Sequence, residues 1–232
     1  MRIAVLDDDP LLLDLLRSAT ERMGYMCHTF STGESLLQTL RRESFDLLVV
    51  DWHLPDMDGP EVVCAARKLT GPGVPIVFVT RRNDERDIVE ALASGADDFM
   101  SKPLRMGEFS ARLKALLRRA YPEQGGAEIV FDRYRFHDTT RSLWLDDTPL
   151  DVTDREYALA LLMFQNCGRL LSREHLRERV WGQIHDVPSR TIDTHVSRLR
   201  SKLQLSPATG YTVTSVYGLG YRLEQVQGPT AS

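Results

Sequence analysis

The chain has 232 residues, is 42% hydrophobic, and sets 29 Lys/Arg against 33 Asp/Glu for a formal charge of −4, which suits one large or two ordinary domains and does not advertise nucleic-acid binding by the chain as a whole. No run of 18 apolar residues exists, so no membrane-spanning helix and no membrane partner is expected, and the apolar run in MRIAVLDDDP is too short for a signal peptide. The three cysteines, Cys27, Cys64 and Cys167, are scattered and form no metal-type pair, which fits a reduced, cytoplasmic setting.

Up to residue 119, short apolar runs alternate with amphipathic helices. Strands are predicted at 2–6 (RIAVL), 25–30, 46–50, 75–79 (PIVFV) and 98–100, and helices at 10–23, 33–42, 60–69, 84–94 and 106–119. Five βα units in succession imply an α/β fold with a parallel sheet and helices on both faces. Residues 120–128, AYPEQGGAE, have no periodicity and carry Pro and two Gly, so they are read as a linker between a first domain (1–119) and a second (129–226). Residues 129–151 read as short antiparallel strands. Helices follow at 153–167, 172–181 and 189–203, then a closing hairpin, YTVTSVYGLGYRL, and a disordered tail at 227–232. Thr153 and Glu156 fit a capping box at the first of these helices.

The chemistry of the first domain gathers where its strands end. LLVVDWHLPDMDG reads as a strand buried on both faces that stops on Asp51. The first strand ends on Asp7, Asp8 and Asp9, the fourth on Thr80, and the fifth is followed by Lys102 and Pro103. Any one of these acids could be a turn cap. In a parallel sheet, however, their strand ends share one edge, where ligands collect. Two carboxylates 4 Å apart repel by about 4 kcal/mol at an effective dielectric of 20, so a converging group must shift its pKa values or bind a cation. Mg²⁺ suits a site with few carboxylates and room for water and phosphate. With Lys102 and the Thr80 hydroxyl, this is a set suited to phosphoryl transfer onto a carboxylate.

Residues 2–119 resemble a receiver domain of two-component response regulators, on the motifs VLDDDP, VVDWHLPDMDG, PIVFVT and GADDFMSKP. The resemblance implies a flavodoxin-like (βα)5 fold with sheet order 2-1-3-4-5 and phosphoryl transfer from a sensor histidine kinase to Asp51. It implies Mg²⁺ held by Asp8, Asp51 and the backbone carbonyl of His53, with Asp7 acting through water. Thr80 and Phe99 would form a switch pair, and Lys102–Pro103 would be cis. Two positions depart from the usual pattern: Arg81 stands where a small residue normally follows the switch threonine, and His53 replaces an apolar residue. The resemblance also implies a homodimer on phosphorylation, through a face carrying Asp97, Asp98, Glu108, Arg112 and Arg119. There Ile88 replaces a customary cation and joins Val89 and Leu92 in an apolar patch.

In the second domain, residues 169–202 hold eight Arg/Lys and four Asp/Glu, a local +4. At 100° per residue, Ile192, Val196, Leu199 and Leu203 share the inward face of helix 189–203. Arg190, Thr194, Arg198 and Ser201 face outward, with Thr191, Ser197 and His195 nearby. The outward face is basic and hydrogen-bonding and suits a major groove, following SREHLRERVW and preceding a Gly-rich hairpin.

Residues 129–223 resemble the α+β winged helix-turn-helix effector of the OmpR/PhoB type, on LSREHLRERVWG, SRTIDTHVSRLRSKL and YGLGYRL. By that resemblance Arg190, Thr194, Arg198 and Arg200 meet bases or phosphates of promoter DNA, with Thr191 beside them. His195 meets the phosphate backbone, and the loop WGQIHDVPS faces RNA polymerase. Tyr217 occupies the wing position where many relatives place an Arg.

The reading is therefore a phosphorylation-activated DNA-binding transcriptional regulator, whose only chemistry is on its own Asp51. An atypical regulator that binds DNA independently of phosphorylation is the alternative, supported by Arg81. A haloacid-dehalogenase-type phosphatase wants a DxDxT-like motif after the first strand, where this chain has DDDP followed by Leu11.

Overall fold

Short, largely apolar strands alternate with one-sided helices through the first half of the chain. The computed structural model describes residues 1–81, 84–121, 128–182 and 189–226, and it divides the chain into two compact units, residues 1–122 and 123–232. The first unit runs β1 (Arg2–Leu6), α1 (Pro10–Arg22), β2 (Met26–Phe30), α2 (Gly33–Leu40), β3 (Leu47–Val50), α3 (Gly59–Thr70), β4 (Ile76–Thr80), α4 (Glu85–Ala93), β5 (Asp98–Ser101) and α5 (Met106–Ala120). Its sheet is parallel, in order β2-β1-β3-β4-β5. The predicted elements all form, with ends shifted by a residue or two, as fraying termini ordinarily are.

Alternation along each strand feeds two cores. Leu48, Val50, Ile76 and Phe78 face one side with Val62, Val63 and Ala66 of α3. Val49, Val77 and Val79 face the other with Leu16 of α1 and Phe109, Leu113 and Leu117 of α5. Such two-sided burial explains why β3 and β4 read as unbroken apolar runs.

The second unit opens with an antiparallel sheet, β6 (Glu128–Phe131), β7 (Tyr134–His137), β8 (Ser142–Leu145) and β9 (Thr148–Leu150), in that order. Then come α6 (Asp154–Gln165), β10 (Leu170–Ser172), α7 (Arg173–Trp181), α8 (Ser189–Lys202), β11 (Tyr211–Val216) and β12 (Gly220–Gln225). The capping box at Thr153 and Glu156 forms. β10 is a strand that sequence patterning does not reveal. At three residues it is too short to show a period, and it exists by pairing with β12 in a sheet of order β10-β12-β11. Two glycines of YGLGYRL make that sheet possible. Gly218 takes the left-handed φ of 70° in the hairpin turn. A Cβ on Gly220 would lie 2.0 Å from the Leu171 carbonyl oxygen of β10.

The proposed linker, tail and polymerase-facing loop fall largely on residues 122–127, 227–232 and 183–188, which lie outside the described residues.

Candidate functional site

The pairing register decides what meets at the carboxyl edge of the parallel sheet. Leu6 is level with Val50, and the Asp51 amide donates to the Leu6 carbonyl at 2.9 Å, so Asp7 and Asp51 emerge side by side. Thr80 is level with Ser101, and the Lys102 amide donates to the Thr80 carbonyl at 2.7 Å, which brings Lys102 to the same edge. The Lys102–Pro103 bond is cis. Lys102 Nζ then donates to Asp7 Oδ2 at 2.7 Å and to Asp51 Oδ2 at 2.8 Å. The second oxygen of each carboxylate is also held: Asp7 Oδ1 accepts from the Asp9 amide at 3.0 Å, and Asp51 Oδ1 from the Trp52 amide at 2.7 Å. Gly59, at the start of α3, lets the loop after Asp51 close tightly, because a Cβ there would sit 2.6 Å from the Asp51 carbonyl oxygen.

The electrostatics follow from this crowding. Asp7 and Asp51 are 1% and 5% exposed, whereas Asp8 is exposed to solvent. Burial pushes the Asp7 carboxyl above its ordinary value and the Asp51 charge adds to that, against the downward pull of Lys102 and the Asp9 amide. Burial works to lower the Lys102 ammonium, but its bonds to Asp51 and Asp7 outweigh that and hold it above its usual value. Asp7, Asp8 and Asp51 can bring one carboxylate oxygen each to within 4.8 Å of one another. Three carboxylates against one ammonium leave two negative charges, all on hard oxygen donors beside solvent. That donor set fits Mg²⁺.

The third acid of the DDDP motif behaves differently. Asp9 is the N-cap of α1, its Oδ1 accepting from the Leu11 and Leu12 amides at 2.9 and 3.4 Å. Thr80 is fully buried, and Phe99 on the neighbouring strand packs at the edge of the α3-side core, level with Phe78. A cavity of about 850 Å³ opens over Asp51 and Lys102, and Asp8, His53, Leu12, Leu15 and Arg81 help to line it. His53 is exposed, and its backbone bridges to Asp58.

The face named for dimer contacts is only partly free. Arg112 donates to both oxygens of Asp98 at 3.1 and 3.2 Å and to Glu108 at 2.9 Å, so these three residues form one network between β5 and α5. Asp97 belongs to a different group: its Oδ2 accepts from Arg67 of α3 and from the Ile76 amide, both at 2.8 Å. Arg119 is exposed and donates to the Ala115 carbonyl at 3.4 Å. Val89 and Leu92 are 61% and 49% exposed, while Ile88 is half-buried. The apolar patch is therefore centred one residue away from Ile88.

In the second unit the inward stripe of α8 lies as the wheel places it: Ile192, Val196, Leu199 and Leu203 are at most 1% exposed. Arg190, Thr194 and Arg198 are exposed, and Thr191 is half-buried. The Thr194 hydroxyl donates back to the Arg190 carbonyl at 2.9 Å. Tyr217 is fully exposed at the hairpin tip.

Two residues sit differently from the sequence reading. Arg200 donates through Nε and Nη2 to the Val213 carbonyl of β11, at 3.1 and 2.7 Å, and lies over the Tyr221 ring, so its guanidinium is committed within the domain. His195 is half-buried against the Trp181 ring, centroids 5.3 Å apart, with Nδ1 buried and unpartnered among the described residues. Burial lowers its pKa, against the upward pull of the Glu156 charge, and nearby Arg198, Arg155 and Lys202 lower it further. Both residues fall near the boundary between the two faces of the helix, where a 100° wheel cannot say which way a long or planar side chain turns.

Sequence reasoning missed one group altogether. Asp193 of α8 accepts from Tyr221 Oη at 2.5 Å and from Arg173 of α7 at 3.3 Å, tying both neighbouring elements to the basic helix.

A five-strand parallel sheet with an acid–lysine site, followed by a winged helix-turn-helix, defines a response-type regulator of transcription. Residues 3–114 match the family model described as the response regulator receiver domain, and residues 147–223 the one described as the C-terminal part of transcriptional regulatory proteins. The chain is 33% identical over 233 residues to the transcriptional regulatory protein QseB of Haemophilus influenzae, covering 98% of this chain and 100% of that protein. It is 34% identical to the alkaline phosphatase synthesis transcriptional regulatory protein PhoP of Bacillus subtilis, covering 97% of each. With the phosphate regulon transcriptional regulatory protein PhoB of Rhizobium meliloti it shares 36% identity, over 96% of this chain and 98% of that one. The chain belongs to the OmpR/PhoB-type two-component response regulators. Among the described residues, no helix is long and apolar enough to cross a membrane.

Proposed function

We propose that Asp51 is the phosphoacceptor of a cytoplasmic, Mg²⁺-dependent switch that controls binding of α8 to promoter DNA. The observation that carries this reading is the Lys102 ammonium held between Asp7 and Asp51 at 2.7 and 2.8 Å, above a cavity open to solvent. An Asp51 oxygen attacks the phosphorus of a phosphohistidine on a sensor kinase. The new P–O bond forms as the P–N bond breaks, and the imidazole leaves with the electron pair. Lys102, fixed beside the nucleophile, offsets charge growing on the phosphoryl oxygens, and Thr80 offers a hydroxyl donor from the adjoining strand. Asp8, Asp51 and the His53 carbonyl would hold the ion, with Asp7 acting through water. When bound, Mg²⁺ supplies further charge neutralisation at the phosphoryl group.

The phosphorylated protein would pair through the α4–β5–α5 face and read DNA through Arg190, Thr194 and Arg198, with RNA polymerase as the downstream partner. The test is labelling by a kinase in Mg²⁺. Wild type should take up hydroxylamine-sensitive phosphate, and Asp51→Asn should not. Equal labelling of the two would remove Asp51 from this role.

A further inference from the structure

Arg81 and Lys102 leave neighbouring strands at the same level. Each is the residue just past its strand end, β4 and β5 respectively, and the Lys102 amide is bonded to the carbonyl of Thr80, which precedes Arg81. Both line the cavity above Asp51. Their electrostatic situations differ. Lys102 is engaged by two carboxylates. Arg81 is exposed and makes no hydrogen bond or ion pair with any described residue. The nearby acid Asp9 does not claim it, being occupied by the α1 amides.

Charge counting gives this arrangement a use. Asp7, Asp8 and Asp51 with Lys102 carry two net negative charges, which a divalent cation cancels. Converting the Asp51 carboxylate to a doubly ionised aspartyl phosphate adds one negative charge that this balance does not meet. A guanidinium at the cavity wall meets it, and its planar fork matches two oxygens of a phosphoryl group.

We propose that Arg81 is a phosphoryl-binding residue: it closes over the group on Asp51 from the solvent side, strengthening its retention and shielding the phosphorus from water. The reaction it retards is hydrolysis, in which water attacks phosphorus, the P–O bond to Asp51 breaks, and inorganic phosphate leaves as the carboxylate is restored. The inference rests on Asp51 as phosphoacceptor. It makes this chain a slow-decaying regulator rather than one whose receiver is blocked by a bulky side chain.

The test uses the full-length protein with Mg²⁺ and beryllofluoride, a stable mimic of the phosphoryl group, read by the fluorescence of Trp52. That indole is 2% exposed, and its amide is bonded to Asp51. Arg81→Ala should weaken beryllofluoride binding about tenfold, the scale of one charge-assisted contact at a solvent-facing site. Arg81→Lys should fall between the two. After phosphorylation by a small phosphoramidate donor and its removal, Arg81→Ala should lose its phosphate several-fold faster than wild type. Unchanged affinity and lifetime in Arg81→Ala overturn the inference. So do tighter beryllofluoride binding and faster labelling, which would make Arg81 an obstruction. Wild type that binds no beryllofluoride, or Asp51→Asn that binds it equally, would overturn the Asp51 reading and this inference with it.

Discussion

The Arg200 guanidinium donates two hydrogen bonds to the Val213 carbonyl, at 3.1 and 2.7 Å, and so ties the basic helix α8 to the first strand of the wing hairpin. Arg200→Ala should therefore act on the domain before it acts on DNA. A charge-assisted bond to a backbone carbonyl is worth about 1.5–3 kcal/mol, and the half-exposed setting puts the loss near the lower end. Denaturant unfolding should show that loss, and promoter affinity should fall evenly across operator sequences.

Arg198 should behave in the opposite way. It is exposed on the outward face of α8. Arg198→Ala should leave the unfolding midpoint within about 0.5 kcal/mol of wild type. It should relax selection at one base position, at a cost of about 1–3 kcal/mol for the preferred base. Binding-site selection followed by sequencing separates the two arginines, and the orientation of α8 is wrong if Arg200→Ala alone flattens the preference.

Glu156 gives a prediction with a definite sign. Its Oε2 accepts from the Thr153 amide at 2.9 Å and from Lys202 Nζ at 2.8 Å, which joins the start of α6 to the end of α8. Burial alone would raise this carboxyl, but Lys202 and Thr153 outweigh it and hold it below its ordinary value. A depressed folded pKa contributes stability that is present above the unfolded value and lost as pH falls through the folded one. Lys202→Met removes the main counterweight and leaves burial dominant. The variant should be about 1–3 kcal/mol less stable at pH 7. Its deficit should shrink once the solution is acid enough to protonate Glu156, and a pH-independent deficit in thermal unfolding would contradict the pairing.

Dimerisation of the phosphorylated receiver should lean on Val89 and Leu92, which are 61% and 49% exposed. Apolar burial contributes about 25 cal/mol per Å² and resists salt, whereas surface ion pairs contribute about 0–1 kcal/mol and are screened. Leu92→Asp should weaken the dimer at least tenfold in sedimentation at both low and high salt. Ile88→Lys, at a half-buried position, should weaken it less. A dimer that Ile88→Lys strengthens, with new salt sensitivity, would make ion pairing the main force.

Tyr157 tests the core of the second unit. Its ring is fully buried, its hydroxyl has no partner among the described residues, and burial pushes its pKa up to about 12. An unmet buried hydroxyl costs about 1–3 kcal/mol, so Tyr157→Phe should be neutral or stabilising. A clear loss of melting temperature would mean that the hydroxyl is satisfied in solution.

What the chain order alone determined is whatever acts over a few residues. LLVV and IVFV declare strands buried on both faces because no polar residue interrupts them. The Thr153–Glu156 cap is legible because both partners lie within one turn. The stripe Ile192, Val196, Leu199 and Leu203 is legible because the helical period is fixed by backbone geometry. The meeting of Asp7, Asp51 and Lys102 was legible for a related reason: each strand end is marked by its own turn chemistry, and a parallel sheet must bring those ends to one edge.

Only the tertiary structure decided which partners those residues take. Lys102 bonds to acids 95 and 51 positions away, Asp7 and Asp51, while Asp9, two residues past Asp7, turns aside to cap α1. Asp97 goes to Arg67, whereas its neighbour Asp98 goes to Arg112. Arg200 and His195 turn into the domain although the wheel leaves them near the boundary between its two faces. β10 exists because β12 offers it a ladder and Gly220 leaves room for it. These choices depend on register, on side-chain rotamers and on competition among several nearby partners, none of which has a period or a propensity that a linear pattern can carry.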